Sequence, residues 1–183
     1  MSTREAIIHI ADQLIRDKGF NAFSFYDISK ALGIKNASIH YYFPTKTRLG
    51  VSVVKAHQAE AERLMRGVEN SDPVTKLNAF LSIYTHTKAE GRVCIVGSLA
   101  TDLHTVDAEI QEELKKFVNS IIHWVTGILE EGKKQNIFFF TVPARTKALM
   151  VITNMLASVQ LTRLTGDKDF TAIKKTILKE LKA

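Results

Sequence analysis

Apolar residues recur at helical spacing along almost the whole chain, and this periodicity constrains the fold more than any other feature. Ile7, Ala11, Leu14 and Ile15 share one face of an opening helix, which Gly19 stops just after Lys18. Ser24 stands three residues before Asp27, a capping-box variant that starts a short second helix through Ile28, Ala31 and Leu32. Gly33 breaks it, and a third short helix runs from about Asn36 to Phe43 and halts at Pro44. Thr45 is suited to cap a fourth, which carries Leu49, Val53 and Leu64 as a long connector to about Gly67.

Asn70-Ser71-Asp72-Pro73 is polar and turn-forming, with Pro73 fitted to the first turn of the next helix. That helix holds Leu77, Phe80, Leu81 and Tyr84. Gly91 to Gly97 encloses an apolar kink around Val93, Cys94 and Ile95, and a short helix is expected from Ser98 towards Leu103. Ile110, Leu114, Phe117, Ile121, Trp124 and Ile128 define a long amphipathic helix ending near Gly132. Pro143 opens another, with Leu149, Ile152, Leu156 and Val159, which Gly166 stops. The last starts at about Asp169 and shows Phe170, Ile173, Ile177 and Leu181. The strand-like run Ile137–Val142 is short and has no obvious partner, so it reads as a buried connector. The expected fold is all-α, without internal repeats.

A hydrophobic share of 45% with three prolines suits a packed helical protein and argues against disorder. The single cysteine, Cys94, excludes an internal disulfide framework and points to a reducing cytoplasm. The N-terminus shows no signal peptide, and no run approaches the ~18 apolar residues of a spanning helix. A soluble cytoplasmic protein is expected.

The net charge of +6 matters less than where it lies. No acidic residue occurs between Asp27 and Glu60, whereas Lys30, Lys35, Lys46, Arg48 and Lys55 fall there with His40 and His57. A polyanion-binding surface needs such a stretch, since each misplaced carboxylate repels a phosphate backbone. Charge alone fits a solvated lysine face equally well. The pattern of helices decides more: two short helices joined by a tight Gly-containing turn describe a helix-turn-helix, whose second helix reads the major groove. Ile39 and Phe43 share its inward face, leaving Asn36, Ser38 and Tyr41 outward with His40 nearby.

The segment from Phe23 to Ile34, Phe-Ser-Phe-Tyr-Asp-Ile-Ser-Lys-Ala-Leu-Gly-Ile, and the segment from Ile39 to Lys46, Ile-His-Tyr-Tyr-Phe-Pro-Thr-Lys, together resemble the signature of the TetR (tetracycline-repressor-like) family. The likeness is specific from about Ile7 to Leu49; beyond it, only length and helix count agree. It implies a homodimeric repressor that binds a palindromic DNA operator and releases it when a small molecule enters the C-terminal domain. It further implies that His40, Tyr41 and Tyr42 touch phosphates and thymine methyls, that Lys46 grips a phosphate, and that Asn36, Ala37 and Ser38 face the bases. Tyr42 also suits a core position, and His40 an ordinary surface one. Lys35 stands where the family often has a capping Ser, so helix three lacks its best cap and Lys35 becomes a phosphate contact instead. Phe25 and Tyr26 replace polar residues often seen at the start of helix two.

Residues 1–50 are therefore expected to form an N-terminal three-helix DNA-binding domain, with the helix-turn-helix at about 24–43. Residues 51–183 are expected to form a helical ligand-sensing and dimerisation domain. Its candidate pocket residues are Phe80, Tyr84, Cys94, His123, Trp124 and Asn154, since a small-molecule cavity needs aromatic surface with a few polar groups. The family's habit of pairing two helices into a four-helix bundle makes Ala157, Val159, Leu161, Phe170 and Ile177 the expected dimer face. Cys94, Asp102 and His104 lie close in sequence, but they lack the spacing of a zinc site, and Cys94 between Val93 and Ile95 reads as a small core hydrophobe. No metal, cofactor or catalytic residue is expected. The alternative function is an oxidant- or electrophile-sensing regulator acting through Cys94.

Overall fold

The computed structural model describes residues 1–182, and among these it has nine α-helices and no strand. No helix among the described residues is long and apolar enough to cross a membrane. The chain packs as two compact units, one of Met1–Glu60 with Ile95–Phe117, the other of Ala61–Cys94 with the residues from Val118 onward. These units differ from the division expected after residue 50, which concerns roles rather than packing.

In the first unit, α1 (Thr3–Lys18) starts at a reciprocal cap: Glu5 accepts from the Ser2 backbone N–H at 2.7 Å, and Ser2 Oγ accepts from the Glu5 N–H at 3.3 Å. Its inward residues Ile7, Ala11 and Ile15 are fully buried. A 3-10 turn at Phe20–Ala22 leads to α2 (Phe25–Leu32), then come α3 (Asn36–Tyr42) and α4 (Lys46–Gly67). Ile28, Ile39, Phe43, Leu49 and Val53 are buried with them in the core of this unit. The expected caps are present: the Asp27 carboxylate accepts from the Ser24 N–H and hydroxyl, and Thr45 Oγ1 accepts from the Arg48 N–H at 3.2 Å. Beyond residue 94, α6 (Ile95–Thr101) lies against α1, where the buried Ser98 hydroxyl donates to the Ile15 carbonyl at 2.6 Å. The helix thus begins three residues before the expected Ser98, because Ile95 is itself a core residue. The first turns of α7 (Ala108–Lys134) bring Ile110, Leu114 and Phe117 into the same unit.

In the second unit, α5 (Pro73–Ala89) has Asp72 as its cap, accepting from Val74 and Thr75 N–H, with Pro73 in the first turn. It packs on α8 (Ala144–Thr165), which forms a helical hairpin with α9 (Asp167–Lys182) around Gly166. Leu77, Phe80 and Leu81 of α5, Val125, Ile128 and Leu129 of α7, and Val151, Met155 and Val159 of α8 make its core.

Three expectations need correction. The helix expected to end near Gly132 continues to Lys134, because Gly132 permits close approach rather than a stop: a Cβ there would lie 2.1 Å from Phe138 Cδ2. The run Ile137–Val142 is indeed a connector, but only Phe138 is buried and Phe139 is 50% exposed. Val159, Phe170 and Ile177, expected at a dimer face, are buried within the chain's own core, because α8 and α9 pack on each other.

Candidate nucleic-acid interface

The geometry of the helix-turn-helix follows from one glycine and two apolar anchors. Gly33 takes φ 65°, ψ 29°, a left-handed conformation that closes α2 and turns the chain into α3. Ile28 and Ile39 pin the two helices inward with no exposed surface. The outward side of α3 then carries Lys35, Asn36 and Ala37, all exposed, with Ser38 half-buried. Tyr41 is 81% exposed and Tyr42 38%, their rings meeting edge to face at 5.0 Å. A tyrosine that open contributes little to the core and offers both a ring and a hydroxyl to a partner. Exposed His40 packs edge-on against the Phe25 ring at 4.9 Å, which fixes its orientation. Phe25, which replaces a polar residue, thus serves to seat His40, while Tyr26 is exposed beside it in the first turn of α2. The Lys35 side chain does not cap α3, and its exposure leaves the ammonium available to an anion.

Lys46 is placed differently. Its half-buried ammonium donates to the Phe23 carbonyl at 2.5 Å and lies 4.2 Å from the Phe23 ring centroid and 4.8 Å from that of Phe20. Burial pushes its pKa down, and the carboxylates of Asp102 and Asp27 oppose that shift. Asp27, at the start of α2, is held below the usual carboxylate range by hydrogen bonds from Ser24, so its charge is engaged in the helix cap.

Of the candidate pocket residues, the structure gathers four. Phe80 meets Tyr84 at 5.5 Å and Trp124 at 6.2 Å, both edge to face, and the half-buried Cys94 lies close enough to Tyr84 to act on it electrostatically. Burial, more than Cys94, pushes the Tyr84 hydroxyl up, so it remains protonated and can donate. His123 and Asn154 stand exposed, apart from this cluster.

Sequence reasoning assigns no part in DNA binding to three residues that the fold brings to the helix-turn-helix: Asp102, Thr105 and Asp107, in the turn between α6 and α7. Asp102 accepts from the Phe20 N–H at 2.6 Å, Thr105 accepts from the Asn21 amide at 2.6 Å, and Asp107 accepts from the Thr47 hydroxyl. Only its nearness to Cys94 and His104 drew attention to Asp102 in the sequence, and its partner lies more than eighty residues away.

Residues 7–52 match the family model described as bacterial regulatory proteins, tetR family. Among solved structures, the TetR transcriptional regulator from Legionella pneumophila superposes with a TM-score of 0.89 at 32% identity, over 100% of this chain and 98% of the other. An uncharacterised HTH-type transcriptional regulator from the lacX 3' region of Lactococcus lactis subsp. lactis is 25% identical, covering 91% of this chain and 86% of the relative. The HTH-type transcriptional repressor NemR of Escherichia coli K12 is 20% identical, covering 75% and 72%.

Proposed function

Since the chain belongs to the TetR family of transcriptional regulators, we propose that it is a repressor: a homodimer that holds a palindromic operator and is released by a small molecule. The observation that carries this reading is the outward face of α3, where Asn36, Ala37, Tyr41 and His40 stand exposed in a stretch without acidic residues. In this reading Asn36, Ala37 and Ser38 face base edges, while Lys35, His40, Tyr41 and Tyr42 meet the backbone and thymine methyls. Lys46 reaches a phosphate by exchanging the Phe23 carbonyl for it, a trade its flexible stem permits. Residues 1–50 read DNA; residues 51–183 sense and dimerise, in the cytoplasm.

The dimer is supported by α8, which is apolar on two sides. One side is buried in the chain; the other leaves Leu149, Met150, Leu161 and Leu164 exposed, Leu164 by 87%. The Phe80–Tyr84–Trp124 cluster supports an apolar or aromatic effector. Such a ligand acts only through different affinity for DNA-competent and incompetent states, shifting the population between two half-site spacings. Cys94, half-buried beside Tyr84, does not favour the oxidant-sensing alternative.

Selection of duplexes from a random pool by the purified protein tests the reading. The expected product is an inverted repeat with half-sites about one helical turn apart. Recovery of no enriched sequence, or of an asymmetric one bound by a single chain, would sink it.

A further inference from the structure

The turn between α6 and α7 holds both ends of the helix-turn-helix at once. Phe20 and Asn21, gripped by Asp102 and Thr105, lie just before the Ser24 cap; Thr47, gripped by Asp107, lies in the first turn of α4. The turn is itself stiff. Its Asp102 carbonyl accepts from Thr105 N–H at 2.8 Å and Val106 N–H at 3.1 Å, Val106 is buried, and Gln111 ties back to the Val106 carbonyl at 2.9 Å. Gly19 completes the fit, since at φ 89° it presents no Cβ, and one built there would lie 3.1 Å from Asp102 Oδ2. The Asp102 charge also acts on the Lys46 ammonium, favouring its protonated form.

We infer that Asp102 is a positioning residue for DNA binding: through the Phe20 N–H it fixes the angle at which the helix-turn-helix is presented. The inference rests on the DNA-binding reading above. A hydrogen bond to a carboxylate is shorter and stronger than a neutral one, so Asp102 ties the turn to the segment before α2 more firmly than the neutral Asn21–Thr105 bond does. An interface held in its bound orientation loses less freedom on association, so releasing it weakens binding without removing any contact to DNA. The effect has a sign that sets it apart from simple charge. Removing a carboxylate near a polyanion site should tighten binding; removing a positioning group should loosen it.

The test uses Asp102→Asn and Thr105→Val in the full chain, with a duplex that the parent retains from a random pool and a mixed-sequence duplex beside it. For Asp102→Asn, which keeps an oxygen acceptor but removes its charge, we expect parental helix content, lowered hydrogen-exchange protection at the Phe20 amide, and affinity for both duplexes lowered by about ten-fold. The slope of log affinity against log salt should stay at the parental value, because no phosphate contact is lost. Parental affinity, tighter binding, or an unchanged Phe20 amide overturns the inference. Should Asp102→Asn fail to fold, Thr105→Val carries the same expectation in weaker form, read at the protection of Asn21 and in affinity, and the same outcomes overturn it. A parent that retains no duplex overturns the DNA-binding reading and the inference with it; a parent that binds while both variants bind equally well overturns the inference alone.

Discussion

His57 Nε2 lies 2.6 Å from Asp12 Oδ1, tying α4 to α1 beneath the helix-turn-helix. The other Asp12 oxygen takes the Arg16 guanidinium at 3.1 Å, with the Arg16 side chain only 7% exposed. Burial alone would raise the Asp12 pKa, but the His57 hydrogen bond and the charges of His57 and Arg16 outweigh it and hold the carboxyl below its ordinary 3.8. A depressed carboxylate contributes stability above its unfolded value and loses it as pH falls through the folded one. Asp12→Asn should therefore cost about 3 kcal/mol at pH 7, since it removes the carboxylate charge that both His57 and the buried Arg16 meet. The gap between parent and variant should close as pH drops below ~4. Urea titrations at several pH values check this, and a gap that does not change with pH would refute it.

The Phe138 ring occupies the space beside Gly132, and because Phe138 is buried it cannot swing clear. Gly132→Ala should destabilise the protein by about 2 kcal/mol or more, against the slight gain an alanine normally brings to a helix interior. Adding Phe138→Ala should recover part of that overpacking cost, so the double variant loses less than the sum of the two. Additive losses in thermal melts would show that the contact is not what constrains the position.

Positioning on the phosphates and reading of bases should separate within the interface. Lys46→Ala should weaken the selected and the mixed-sequence duplex alike, and flatten the log–log salt slope by roughly 0.9 per half-site. Asn36→Ala and Ser38→Ala carry no charge change, so the slope should stay; the gap between selected and mixed duplex should narrow by about 1–3 kcal/mol where a base contact is lost. Circular dichroism must show α3 intact, because its N-terminus lacks a side-chain cap. Unchanged discrimination in both alanine variants, or an unchanged slope for Lys46→Ala, would contradict this assignment.

The second apolar side of α8 yields a further expectation. Leu161, 56% exposed in the single chain, should lie in the dimer contact, and Leu161→Glu should shift sedimentation towards monomer at micromolar protein. Operator affinity should fall with it, since one chain reads one half-site. A variant that stays dimeric places the contact elsewhere.

What was legible in the sequence is what short-range physics controls. Ser24 with Asp27, Gly33, Pro44, Thr45 and Asp72-Pro73 each act on neighbours within about one turn, so the helix starts and stops they mark stand where expected. The same locality exposed the acid-free segment and the face of α3, since residues 36 to 42 share one helix. Which side of an apolar helix turns inward is not local. On α8 the apolar residues Leu149, Ile152, Leu156 and Val159 suggested one face, but of these only Val159 is buried, together with Ala148, Val151 and Met155, because the neighbours α5 and α9 meet the helix there. Gly132 looked like a stop and is a contact, a distinction that depends on where Phe138 returns. His123 and Asn154, chosen for chemistry alone, proved to be surface residues.

By itself the sequence determined the helical class, the helix-turn-helix and the chemistry of the groups that α3 displays, because backbone propensity, caps and periodicity act over a few residues. The tertiary structure alone decided that Asp102, Thr105 and Asp107 reach the two ends of that motif and that Lys46 turns towards the Phe23 carbonyl. These pairings join residues from about twenty to more than eighty positions apart, where no repeat or local pattern signals the partner. A carboxylate finds its donor there only after the apolar core has drawn the two segments together.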